Sequence, residues 1–509
     1  MPTVVLDGEK LTLADVERVA RQKARIRISA AARGKMTRSR VLVEQALDSQ
    51  QVVYGINTGF GALCQVVIEP YQISRLQKNL VVSHAAGVGR PLDTPVVRAM
   101  MLLRANVLAK GCSGVRPQVA EHLVAMLNAG LHPVVPEQGS VGASGDLAPL
   151  AHMTLAVLGL GQVELNGRRL SAARALKRIG LSPLKLEAKE GLALTNGTQA
   201  MTALGALTVM RAGRLTKMAD ICGALSLEAL LGTPTAFHPR LQRARPHRGQ
   251  QLSARNLRRL VRGSRIVRSH QDCSKVQDMY SLRCMPQVHG AVRDALDHVH
   301  RILKVEINSA TDNPLVFPKE ELIISGGNFH GQPVSLALDH ASAALCSLAG
   351  ISERRIASLM DSCISRLPAF LTSRGGLNSG FMMAQVTAAS LVSESKGLAH
   401  PASIDSIPTS ANQEDHVSMG MTAARQADRI VTNAEQVLAI ELLCAAQGID
   451  LRSPLTPGRG TMAAYRAVRR QIKRLDRDRI MAPDLERAAE LVREGEVLGA
   501  VERAIGRLN

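Results

Sequence analysis

The sequence predicts a mainly α-helical protein, a large central bundle of long helices with a loop-rich N-terminal lobe. Three observations lead there. Aromatic residues are scarce, with no Trp, four Tyr and six Phe in 509 residues. The core must therefore be built from Leu, Ala, Val, Ile and Met, which suits packed helices better than a β-sandwich. The stretch ADRIVTNAEQVLAIELLCAAQG places Ala427, Ile430, Val431, Ala434, Val437 and Leu438 on one helical stripe, with Gly448 expected as a C-cap. The stretches LALDHASAALCSLAGISERRIASLMD and NSGFMMAQVTAASLVSESKGLAH are so rich in Ala and Ser that their helices can approach closely, as in the middle of a bundle.

Along the chain, residues 1–200 mix short apolar runs with Gly- and Pro-rich loops and read as the N-terminal lobe. Residues 201–509 read as a helical domain of long bundle helices ending in a C-terminal helical cap. The N-terminus carries charges within its first ten residues and lacks the apolar core of a signal peptide. No segment reads as membrane-spanning. The uncharged run Gly191 to Met210 carries Thr195, Asn196, Thr198 and Gln199, which marks a buried, polar-lined segment. Eight cysteines are scattered without a C-x-x-C pair. That is the pattern of reduced thiols in a cytoplasmic protein, with neither a disulfide framework nor a metal site.

The formal charge of +20 is unusual, and half of it lies between Arg240 and Arg268, which hold ten arginines and no acid. Arg255, Arg258, Arg259 and Arg262 repeat at helical spacing opposite Leu257, Leu260 and Val261. Nucleic acid is one anionic partner to consider. No aromatic residue interleaves the arginines to stack bases, so a solvated helix face, or one meeting acidic surface in an oligomer, fits better.

Function concentrates in the polar, glycine-rich loops between apolar helices. The most distinctive is EQGSVGASGDLAPLAHM, Glu137 to Met153, where Ser144 is flanked by Ala143 and Gly145. A serine hydrolase elbow needs G-x-S-x-G, and here Asp146 stands at the last position. No lysine follows to make a phosphate-binding loop. Small neighbours allow another chemistry. If the backbone bends sharply, the Gly145 nitrogen can reach the Ala143 carbonyl carbon. Ring closure with loss of water, and dehydration of Ser144, then give 4-methylideneimidazole-5-one (MIO), an electrophile made without an imported cofactor. Glycine suits position 145 because a Cβ would hinder closure and restrict the backbone.

With these residues the chain resembles the MIO-dependent aromatic amino acid ammonia-lyases over nearly its whole length, most closely the histidine-specific branch. GSVGASGDLAPLAHM looks like the family signature, and Ala143-Ser144-Gly145 matches its self-cyclising triad. The resemblance implies an L-aspartase/fumarase-like helical architecture and a cytoplasmic homotetramer whose active sites draw loops from three chains. The implied reaction is conversion of L-histidine to urocanate and ammonia, the first step of histidine degradation.

The reaction removes a weakly acidic Cβ proton and expels an amine, so a base and a carboxylate clamp are needed beside the electrophile. Tyr54 in VVYGINTGFG and Tyr280 in DMYSLRC match the family's proton-transfer tyrosines, and either one can take the Cβ proton. A phenol pKa lowered by cationic neighbours would suit that role. Arg283 is the expected bidentate clamp on the substrate carboxylate. Asn196 and Gln277 are expected to hydrogen-bond the prosthetic ring or substrate, and Phe329 in SGGNFHG to pack near it. His84 in VVSHAAG and Glu414 in ANQEDHVSMG point to an imidazole substrate, which both donates and accepts hydrogen bonds. Asp146 is expected to assist cyclisation, and it also stands where a helix N-cap would.

Met279, Met285, Arg248 and Gln332 depart from the histidine-specific pattern without removing a proposed catalytic group. A tyrosine or phenylalanine ammonia-lyase, or a 2,3-aminomutase on the same scaffold, is the alternative. A basic nucleic-acid-binding protein with an inactive lyase body is more remote. The fumarase and aspartase signature G-S-S-x-M-P-x-K-x-N is absent.

Overall fold

A computed structural model describes residues 3–49, 51–273 and 275–509. The fold is mainly helical, with only short strands. Its long helices are Gln199–Ala229, Met285–Glu306, Gln332–Met360, Met382–Leu398 and Gly420–Leu451. The chain divides into two compact units, each discontinuous in sequence. One unit comprises 1–210, 300–339 and 401–425, and the other 211–299, 340–400 and 426–509. Compared with the expected division near residue 200, two later segments return to the first unit. Four of the five switches fall inside long helices, whose continuous pattern gives a reader no linker to find, and the fifth lies at His400–Pro401, just past the helix Met382–Leu398.

In the first unit, helices carry the loops that the sequence displays. The helix Thr94–Ala109 is buried from Val96 to Ala109 on every face, Arg98, Arg104 and Asn106 included. An all-round buried helix is the centre of a core, and each polar group on it needs a partner. Arg98 donates to the Val19 carbonyl at 2.9 Å, and the Asn106 side-chain nitrogen donates to the Ile307 carbonyl at 2.9 Å. Short ladders stitch the periphery. Val4–Leu6 pairs in parallel with Ile26–Ile28, and Leu131–Pro133, Gln162–Leu165 and Arg168–Ser171 form an antiparallel sheet.

In the second unit, the predicted stripe Ala427, Ile430, Val431, Ala434, Val437 and Leu438 is fully buried. Gly448 does not cap that helix, which continues to Leu451. Instead the missing side chain admits Ala229, whose Cβ lies 2.7 Å from where a Cβ of residue 448 would stand. Two buried ionic clusters organise this unit. Asp220 accepts from Ser253 (2.6 Å), Asn256 (2.9 Å), His289 (2.9 Å) and Arg293 (2.7 Å). Burial alone would raise its carboxyl, but Arg293, His289 and Ser253 hold it at about 2. Glu441 takes a two-pronged bond from Arg355 (2.5 and 2.7 Å) and hydroxyls from Ser226 and Ser352. Removing one partner of such a pair costs roughly 3–5 kcal/mol, because the other charge stays buried.

The basic segment is partly explained by the same need for partners. Within the helix Arg248–Leu260, Arg259 donates to the Arg507 (2.8 Å) and Gly506 (2.9 Å) carbonyls just past the helix Glu496–Ile505. A cation there complements the helix dipole. The helix Gln332–Met360 is long and apolar enough to cross a membrane by length and composition, with 56% of its most apolar window buried in the fold. That burial is what a core helix has.

Glu228 gives this unit a titratable latch. Its buried carboxylate accepts from the Gly458 nitrogen (2.7 Å), which precedes the helix Arg459–Arg469. Burial pushes its pKa up to about 7. A carboxyl raised in the fold adds stability at low pH that is lost as pH rises through the folded value. Glu228→Gln, neutral at every pH, should therefore gain melting temperature over wild type by several degrees at pH 8.5 and show little difference at pH 5. An equal difference at both pH values in thermal melts would overturn this assignment.

Candidate active site

Two chain segments of the first unit meet behind Ser144. One runs from the strand Pro136–Gln138 through 139–146 into the helix Leu147–Val157. The other leaves the short helix Glu190–Thr195, turns at Asn196 and Gly197, and enters Gln199–Ala229. Gly145 and Gly197 pair as an isolated parallel bridge. The Asp146 nitrogen donates to the Gly197 carbonyl at 2.7 Å, and the Gly197 nitrogen donates to the Ser144 carbonyl at 3.2 Å. Gly145 has φ 72°, and any Cβ there would overlap the Gly197 carbonyl. Gly197 has φ 137°, and a Cβ on it would lie 2.7 Å from the Arg104 guanidinium. Two glycine backbones are thus pressed together where side chains cannot enter.

Asn196 completes a cradle. With its amide nitrogen turned to Ser144, it donates to the Ser144 carbonyl at 2.8 Å and accepts from the Asn313 nitrogen at 3.2 Å. The Ser144 carbonyl oxygen then receives two N–H donors, an arrangement that draws electron density toward that oxygen. Asp146 is fully buried beneath it, accepting from the Met201 nitrogen (2.8 Å) and the Ser140 hydroxyl (3.1 Å). Burial pushes its carboxyl up to about 6. It stands at the N-cap position of Leu147–Val157, yet its side chain makes no capping bond there.

Ala143 and Ser144 open onto a cavity of about 640 Å³. Tyr54, His84, Asn196, Phe329 and Glu414 all line it. The Tyr54 hydroxyl accepts from the Gly61 nitrogen (3.5 Å), and its ring meets Phe60 edge-on, with centroids 6.4 Å apart. Burial raises the Tyr54 pKa, and the Cys64 and Glu414 charges add to the rise. This corrects the expectation of a lowered phenol: among the described residues the Gly61 N–H bond alone opposes the rise, and desolvation outweighs it. Burial likewise lowers His84, while the Leu80 carbonyl and the Glu414 charge act in the opposite direction. Glu414 is held by the Thr409 hydroxyl, which donates to it at 2.6 Å.

Other wall residues escaped the sequence reading. His330 and His416 stack in parallel, 5.8 Å between centroids, and Asn313 presents its backbone to Asn196. His330 and His416 lie in the strings SGGNFHG and ANQEDHVSMG, which the glycine and polar composition had already marked. Arg104 carried one overlooked signal, a single charge within the apolar helical run MMLLRANVLA.

Tyr280, Arg283 and Gln277 belong to the second unit and are not among the residues lining the Ser144 cavity. Tyr280 opens the short helix Tyr280–Arg283 and is 72% exposed, with the Arg283 guanidinium 4.7 Å from its ring centroid. Gln277 is exposed and lines a separate pocket with Lys275 and Asp278. Of the departures, Met285 is buried, with its sulfur against Gly223. Gln332 donates to the Ser403 carbonyl at 3.2 Å. Arg248 lies 3.9 Å from Asp297.

Comparison with known proteins places this geometry. The aromatic amino acid lyase family model matches residues 11–470. The histidine ammonia-lyase of Gloeobacter violaceus is 55% identical over 507 residues, which is 99% of either chain. Among solved structures, histidine ammonia-lyase from Trypanosoma cruzi superposes with a TM-score of 0.92 at 45% identity, covering 99% of this chain and 96% of that one. Tyrosine aminomutase from Streptomyces globisporus superposes at 0.95 with 40% identity over the full length of both chains. With a family model spanning most of its length and relatives alike from end to end, this chain belongs to the aromatic amino acid lyase family.

Proposed function

We propose that this lyase deaminates L-histidine without oxidation, giving urocanate and ammonia, and that its electrophile is MIO formed from Ala143-Ser144-Gly145. The single observation that carries the reading is the bent, side-chain-free contact of Gly145 with Gly197, with the Ser144 carbonyl held by two donors and Ser144 lining a cavity that His84 and Glu414 also line. The residues present fit the group. A Cβ at 145 has no room, and ring closure needs the Gly145 nitrogen turned back toward Ala143. The relatives named for histidine support the substrate, and the higher identity to them weighs against tyrosine chemistry.

The group supplies an electrophilic carbon that turns the substrate's amine into a leaving group. The chain's own residues do the rest. Asn196 and the Gly197 nitrogen hold the Ser144 carbonyl oxygen and stabilise negative charge that gathers there. His84 and Glu414 offer a donor and an acceptor to the substrate imidazole, and Phe329 gives it an apolar wall. Tyr54 is a proton carrier at the cavity, and its raised pKa keeps the phenol protonated at neutral pH until a cation approaches.

That cation is proposed to come from a second copy of the chain. Arg283, Tyr280 and Gln277 lie in one short segment, 276–283, whose exposed Tyr280, and Val276 at 95% exposure, suit coverage by another subunit. In the proposed cytoplasmic homotetramer, Arg283 clamps the substrate carboxylate and Tyr280 is the partner proton carrier across the site. The eight cysteines are all free thiols, which fits a reducing compartment.

Two experiments test the reading. In peptide mass spectrometry the fragment bearing residues 143–145 should be lighter than its sequence by two water molecules, and Ser144→Ala should remove the serine-derived loss. The same preparation should form urocanate from L-histidine and no cinnamate or coumarate from L-phenylalanine or L-tyrosine. An unmodified mass in active enzyme, or no urocanate, would sink the proposal. For the shared site, Ser144→Ala and Arg283→Met chains, each inactive alone, should regain activity when co-expressed, because some sites then lack both lesions. Hybrids as inactive as the parents would contradict sharing between chains.

A further inference from the structure

The buried helix Thr94–Ala109 carries two arginines, and one of them reaches the back of the Ser144 cradle. Arg104 is wholly buried. It donates from Nη1 to the Ala193 carbonyl at 2.8 Å and from Nη2 to the Asn196 carbonyl at 2.8 Å, and it also bonds Gln199 Oε1. Gln199 in turn donates to the Thr311 hydroxyl at 2.7 Å. The carbonyls that Arg104 takes lie at the C-terminal end of the helix Glu190–Thr195, where a helix has no partners of its own for them. A planar fork can span two carbonyls and an amide at once, which an ammonium on a flexible stem does poorly.

The three layers are consecutive. Gly145 lies against Gly197, and Gly197 against the Arg104 guanidinium, with 2.7 Å between its Nη2 and a Cβ at 197. Arg104 grips the main chain of Asn196 while the side chain of Asn196 grips the Ser144 carbonyl. Burial brings the Arg104 pKa down to about 10, with the Asp312 and Asp146 charges opposing the fall, so it is a cation at neutral pH. The fully buried Lys189–Asp312 pair, 2.7 Å apart, places a further ion pair in the same core without adding net charge.

We infer that Arg104 is a positioning residue for the backbone cyclisation, fixing Asn196 and Gly197 so that the Ser144 carbonyl and the Gly145 nitrogen are held in the closing geometry. This rests on the MIO reading above. In the step it assists, the Gly145 N–Ala143 C bond forms, the Ala143 carbon gains a double bond to the Ser144 nitrogen, and the Ala143 carbonyl oxygen leaves as water with the amide hydrogens of Gly145 and Ser144. The Ser144 hydroxyl leaves as a second water with its Cα proton. No oxidant or co-reactant takes part.

Arg98 supplies an internal control. It is equally part of the buried helix, but it donates to the Val19 and Leu127 carbonyls and to His132, with no bond to the cradle. The test follows the mass of the 143–145 peptide over time after cell-free synthesis, beside thermal melts of each chain. Arg104→Met should lose the two waters about 10²-fold more slowly than wild type, the scale expected of small misplacements of reacting groups. Arg104→Lys should fall between them, and folded Arg98→Met should match wild type. If Arg104→Met does not fold, Gln199→Met reads the same contact, with a slowing of about tenfold expected. Dehydration at the wild-type rate in the folded variant, or equal slowing in Arg98→Met, would overturn the inference. A wild-type peptide of full mass would overturn the MIO reading instead.

Discussion

The contact between the backbones of Gly145 and Gly197 constrains everything around it. Neither position tolerates a side chain, one because it would strike a carbonyl and the other because it would strike a buried guanidinium. Mutual hydrogen bonds, Gly197 nitrogen to Ser144 carbonyl and Asp146 nitrogen to Gly197 carbonyl, hold the two turns in register. Chain segments far apart in sequence must be brought together with sub-ångström accuracy, and loops alone rarely achieve that. Here both turns are anchored to helices, Leu147–Val157 on one side and Glu190–Thr195 with Gln199–Ala229 on the other.

A tight backbone junction in a core leaves polar groups that must be paired, and buried charges meet that need. Arg104 takes carbonyls at a helix end, Asp146 takes a backbone nitrogen at a helix start, and Lys189 neutralises Asp312. Each ion is costly to desolvate. Together they make the junction rigid, because moving any one of them would leave another unsatisfied. The second unit follows the same rule with Asp220 and Glu441, where carboxylates rather than backbone turns are the centre of the network. In both units the interior is specified by charge pairing laid over Ala- and Leu-rich packing.

Much of this was legible in the sequence, for identifiable reasons. Ser144, Tyr54, His84, Asn196, Phe329 and Glu414 stand in polar, glycine-rich strings whose composition has no packing explanation, and the structure gathers them on one cavity. The long helices followed from the spacing of Ala427, Ile430 and Val431, which are indeed buried. What escaped depends on contacts between distant segments. Gly448 reads as a cap until Ala229 is seen against it. Arg104 reads as a stray charge until the end of a helix, with Ala193 89 positions away, lies beneath it. The phenol of Tyr54 is raised rather than lowered because burial outweighs the Gly61 hydrogen bond, a balance set by the folded surroundings. Gln332, Met285 and Arg248 make local contacts, and nothing in the structure at these positions or at Met279 explains a change of chemistry.

The central claim is that the Gly145–Gly197 contact serves backbone chemistry rather than a plain turn. Its most direct measurement is a high-resolution electron-density map of residues 142–146 in catalytically active protein. Continuous density between the Gly145 nitrogen and the Ala143 carbonyl carbon, with a planar centre and no hydroxyl at residue 144, is the predicted result. An open chain with an intact serine hydroxyl in that active enzyme would contradict the account.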